Sequence, residues 1–109
     1  MTSLVSPPIA TQAGRTVLQA WLKLNVESGF DFVRAEWSGD GTSWRLLDTY
    51  TGQNAGYPGW SLITLGFDSP GGDIRVRFRF TSDLIISPLL EPTLTGARVD
   101  QVVVGRQAP

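Results

Sequence analysis

The sequence predicts an all-β chain folded as an antiparallel two-sheet sandwich, and three observations carry that prediction. Several stretches alternate apolar and polar residues with a period of two, which sends successive side chains to opposite faces of a strand. Gly, Asp, Asn, Ser and Pro cluster between these stretches at turn-like spacing. No stretch carries a convincing helical period. At 109 residues the chain is long enough to bury a core as one domain, residues 1–109.

The elements follow in order. "LVSPPI" near the start is a short candidate strand, and Pro7 and Pro8 sit where an edge strand or a loop is expected, because proline cannot donate to a ladder. In "TVLQAWLKLNVE", from Thr16 to Glu27, Leu18, Ala20, Leu22, Leu24 and Val26 form one apolar face. The turn "SGF" leads into "DFVRAEWS", where Val33, Ala35 and Trp37 face one way and Arg34, Glu36 and Ser38 the other. Asp40-Gly41 then signals a hairpin into "WRLLDTY", since both residues tolerate the positive φ of a tight turn. Trp37 and Trp44 read as rings that fill or cap the core. "TGQNAGYPG" is a loop, "GWSLITLGF" a strand and "DSPGGD" a turn. In "DIRVRFRFT", Ile74, Val76, Phe78 and Phe80 alternate with Arg75, Arg77 and Arg79. "SDLIISPLLEPTLTG", with Pro88 and Pro92, covers an edge or one end of the sandwich, and "ARVDQVVVG" is the last strand.

Composition removes several function classes. There is no histidine and no cysteine, which excludes Ser-His-Asp and Cys-His catalysis, thiolate metal sites and a disulfide framework. No spacing singles out a pair of carboxylates for acid-base work, no glycine-rich phosphate loop opens a helix, and the expectation is no enzymatic activity. Nine basic residues stand against ten acidic ones, a net charge of -1, so no global field draws the chain to nucleic acid. The chain shows neither a signal peptide nor an apolar run of the ~20 residues that span a bilayer, and membrane insertion is not expected.

"SLVSPPI", "VLQAWLKLNVESGFDFVRAEWSGDGTSWRLL", "GWSLITLGF", "IRVRFRFTSD" and "GARVDQVVVG", in that order, resemble the jelly-roll accessory domain of bacterial secreted proteases of the immune inhibitor A and bacillopeptidase F type, which is similar to MAM domains. The resemblance covers nearly the whole chain. It implies a jelly-roll of MAM-like, concanavalin- or galactose-binding-like type and an extracellular or cell-surface setting. Two departures stand out. Gln101 replaces the second aspartate of the closing Val-Asp-Asp-Val pattern, and the chain begins near the Ser-Pro strand, without the strands that usually precede it. A missing strand leaves an edge open, so self-association through a sheet edge, or pairing with a neighbouring domain, is expected.

Three sets of residues are candidates for binding. Glu27, Asp31 and Asp100 coincide with acidic positions of the resembled pattern and, with carbonyls from Ser28 to Phe30, offer oxygens for a structural calcium; the alternative is that Asp31 only accepts hydrogen bonds in its turn. No cofactor is otherwise required. Trp21, on the polar parity of its strand, and Tyr57 and Trp60, around a Pro-Gly loop, offer rings for stacking on a glycan; the alternative places Trp21 in a second buried layer. Arg75, Arg77 and Arg79 read as a solvated face paired with Glu27, Glu36, Asp48 or Asp73, without interleaved aromatics and with little stability from each exposed pair. The functional expectation is therefore a non-catalytic interaction or structural module that self-associates through a sheet edge. A carbohydrate-binding module is the second reading, and a subunit of a viral or filamentous assembly the third.

Overall fold

The computed structural model describes residues 2–81 and 96–106; Met1 and the expected edge cover from Leu84 to Leu94 lie outside the described residues. Eight strands are present: β1 (Thr2–Val5), β2 (Ile9–Thr11), β3 (Gly14–Asn25), β4 (Phe32–Ser38), β5 (Arg45–Tyr50), β6 (Ser61–Ser69), β7 (Gly72–Thr81) and β8 (Gly96–Arg106). They form two antiparallel sheets. One has the order β1-β7-β4-β5 with β2 also on β7, and the other is three-stranded, β6-β3-β8. Among the described residues there is no helix.

The period-two faces meet between the sheets. Leu18, Ala20, Leu22, Leu24 and Val26 are buried, as are Val33, Ala35 and Trp37 of β4 and Ile74, Val76 and Phe78 of β7, while Phe80 is half-buried at the margin. Trp37 stacks on Phe67 of the opposite sheet with ring centroids 4.8 Å apart, a contact that joins the layers. Each Val, Leu, Ile or Phe among them contributes about 1.5–3 kcal/mol on burial, so three apolar rows converging on one layer are enough to specify which face of each of these strands turns inward.

Several expected elements take a different form. The opening strand is divided: β1 and β2 both pair with β7, and Pro7-Pro8 lie between them. Ser6 bridges this gap, its N–H donating to the Val76 carbonyl at 2.9 Å and its hydroxyl accepting the Val76 N–H at 3.0 Å, so the ladder groups that proline cannot serve are still satisfied. The hairpin after β4 is a longer loop. Asp40 Oδ1 accepts the N–H groups of Thr42 and Ser43, each at 2.8 Å, and Gly41 adopts φ 81°. These backbone donors hold the Asp40 carboxyl well below the usual carboxylate range.

The arginine row differs most from its expectation. Glu36 is buried rather than solvated, and it accepts Arg77 Nε at 2.8 Å and Arg79 Nε at 3.1 Å. Burial acts to raise the Glu36 pKa, but the hydrogen bonds and charges of Arg77 and Arg79 together outweigh it and leave it lowered. Nor does this face lack aromatics: the Arg77 guanidinium lies 4.2 Å from the Trp44 ring centroid. Trp44 thus covers the outside of the larger sheet, half-buried, while Trp37 fills the core.

Candidate functional site

The outer face of the three-stranded sheet is built from the residues that β3 turns away from the core: Arg15, Val17, Gln19, Trp21 and Lys23. Register supplies their neighbours. On β6, Leu62 lies opposite Trp21, Thr64 opposite Gln19, Gly66 opposite Val17 and Asp68 opposite Arg15. On β8, Asp100 lies opposite Trp21, Val103 opposite Gln19 and Gly105 opposite Val17.

Between those β8 positions the register shifts, because the segment from Asp100 to Val103 is one residue longer than its partner from Gln19 to Trp21. Gln101 occupies this bulge with φ 51°, left-handed backbone that residues other than glycine rarely adopt. Its N–H donates to Asp100 Oδ1 at 2.8 Å. The position where the sequence departs from the resembled pattern is therefore a β-bulge, a feature that redirects side chains at a sheet edge.

Trp21, Trp60, Asp100 and Gln101 line one depression of about 320 Å³. The two rings are partly open, Trp21 at 37% and Trp60 at 41% exposure, so each presents ring surface while its remainder is anchored. Trp60 comes from the loop between β5 and β6, which Asn54 organises. Asn54 Oδ1 accepts the Leu24 N–H at 2.6 Å, its backbone N–H donates to the Leu24 carbonyl at 3.2 Å, and its Nδ2 donates to the Gly59 carbonyl at 3.2 Å and to Ser61 Oγ at 2.9 Å. One side chain thereby ties the end of β3 to both residues flanking Trp60. Asn54 was not singled out in the sequence; its place inside "TGQNAGYPG" signalled a turn and nothing more.

Tyr57, the third ring expected here, does not line this depression. It is half-buried and its hydroxyl accepts Asn25 Nδ2 at 3.3 Å, so it serves the loop base. The carboxylates expected to share a calcium are also divided. Asp31 is buried and its Oδ2 accepts the Glu27 N–H at 3.1 Å, while the Asp31 N–H donates to the Glu27 carbonyl at 2.9 Å, the turn-closing role of the alternative reading. Asp100 instead lies opposite Trp21, six residues before Glu27, about 20 Å of extended strand away. Among the described residues no group of three or more acidic side chains is arranged to hold a metal ion.

A larger groove of about 470 Å³ lies farther along the same face, lined among others by Arg15, Val17, Gly66, Gly105 and Arg106. Its floor is low because Val17 is flanked by glycine on both sides. Gly66 has a further reason to lack a side chain: a Cβ there would lie 2.6 Å from Arg15 Nη2, so the guanidinium rests across the bare backbone. Comparison of the sequence with protein-family models finds no match, and comparison with curated proteins finds none.

Proposed function

We propose that this chain is a non-catalytic binding module that takes a saccharide on the outer face of its three-stranded sheet. The observation that carries the reading is the convergence of two partly exposed tryptophans with a carboxylate and an amide in one depression. A pyranose has an apolar C–H face that lies against an aromatic ring and a rim of hydroxyls that need acceptors and donors. Trp21 and Trp60 supply the first, Asp100 and Gln101 the second. The relationship to jelly-roll accessory and MAM-like domains, and the extracellular or cell-surface setting it implies, belong to the same proposal. The test is affinity electrophoresis against a polysaccharide panel with the intact protein and with Trp21→Ala and Trp60→Ala. Retardation by at least one polymer, lost in both variants with melting unchanged, is the expected result; no retardation by any polymer, or retention by Trp60→Ala, overturns the reading.

A second reading, self-association through a sheet edge, is favoured by β6. Among the described residues β6 pairs with β3 alone, and its nine residues contain no proline, lysine or bulge. The other edges are interrupted, β8 by the Gln101 bulge, the β1 and β2 side by Pro7-Pro8, and β5 by a register shift opposite Ala35 and Glu36. Light scattering behind size exclusion, with and without calcium, tests it. A discrete oligomer that Thr64→Pro disperses supports pairing at β6, and a strict monomer in both conditions excludes it.

A further inference from the structure

We infer that the saccharide bound on this face is an acidic one, a polymer of uronic acids that runs along β3 from the tryptophans into the groove and places a carboxylate against Arg15. The inference rests on the saccharide reading above and deepens it. Trp21 and Arg15 lie six residues apart on one strand, about 20 Å, so a ligand filling both ends is an extended chain of several sugar rings. The floor is low at Val17 and Gly105, and the Arg15 guanidinium lies over Gly66, so a chain that passes Gln19 arrives at that charge.

The charge at the far end selects the ligand. Arg15 has Asp68 at 3.7 Å, with the two side chains 55% and 83% exposed. So open an ion pair is strongly screened and holds its partners weakly, and a ligand carboxylate can take the place of Asp68. Guanidinium groups bind carboxylates through paired, parallel N–H donors, a geometry that a neutral sugar does not offer. The larger sheet provides the contrast, since Arg77 and Arg79 already hold the buried Glu36.

The experiment compares polygalacturonate and alginate with their carboxyl-reduced, neutral counterparts by isothermal titration at low and at physiological salt. The expected result is at least one acidic polymer bound about tenfold more tightly than its reduced form, the size of one charge-assisted contact, with the gap narrowing as salt rises. The Arg15→Gln variant, checked for unchanged melting, is expected to lose that gap and still bind the neutral form. Equal binding of acidic and reduced polymers, or an acidic preference that survives in that variant, overturns the assignment of the groove while the saccharide reading stands. Binding of no polymer at all overturns both.

Discussion

The outer faces of the two sheets differ in how their polar and aromatic groups are used. On the larger sheet, Arg34 donates to Thr81 Oγ1, Arg75 to the Ser6 carbonyl, and Arg77 and Arg79 to Glu36, while Trp44 lies over Arg77. On the smaller sheet, Trp21, Trp60, Leu62 and Val103 are exposed and Arg15 faces Asp68 only loosely. The sequence reads the arginine row as an ion-paired face, and Arg77 and Arg79 do share the buried Glu36, while Arg34 and Arg75 have neutral acceptors. On the smaller sheet the tryptophans and the Arg15–Asp68 pair stay open to solvent. A conspicuous run of charge is thus a poor guide to a site until its partners are known, because a neighbouring strand can satisfy it internally.

This contrast can be broken or sharpened by substitution. The largest effect is expected at the layer beneath both faces, where Phe78→Ala removes a buried ring and costs about 3–5 kcal/mol in denaturant unfolding; unchanged melting would mean that β7 turns its other face inward. Next, Glu36→Ala leaves two arginines without their shared carboxylate and is expected to cost about 3 kcal/mol while polysaccharide binding is retained in the folded fraction. A variant that melts normally and loses binding would reverse the roles assigned to the two faces.

Asn54→Ala removes the acceptor of the Leu24 N–H and is expected to cost about 1–3 kcal/mol and to weaken binding as well, because Trp60 loses its support. Glu36 also predicts a pH dependence. Its pKa is lowered in the folded state, so the unfolded chain takes up the proton more readily. The stabilisation is complete above the ordinary glutamate value and is lost as pH falls through the lowered one. Thermal melts from pH 6 downward should show this loss below about pH 4.5, and Glu36→Gln should flatten it. The smallest stability effect belongs to Trp60→Ala, expected to stay within about 0.5 kcal/mol for an exposed position; a large loss of stability there would make the ring structural and remove it from the site.

Particular residues show how far the sequence could be read. Leu18 to Leu24 and Ile74 to Phe78 announced their strands and their inward faces because burial repeats with the two-residue period of the backbone, a local property. Trp21 was legible as outward-facing on the same ground. The meeting of Trp21 with Trp60, Asp100 and Gln101 was not, because these residues come from three separate segments and are joined only by the pairing of β3 with β6 and β8. Tyr57 could not be separated from Trp60 in advance, since both flank the same Pro-Gly pair and only the hydrogen bond to Asn25 draws one of them to the loop base.

The long strands, their apolar rows and the lack of histidine and cysteine chemistry were determined by the sequence itself, since each depends on residue identity and on a period shorter than one strand. Whether a charge is shared or open, where the closing strand bulges at Gln101, and which rings converge were decided only by the tertiary structure. Those outcomes depend on register between strands distant along the chain, and a shift of one residue would turn every one of these side chains to the opposite face.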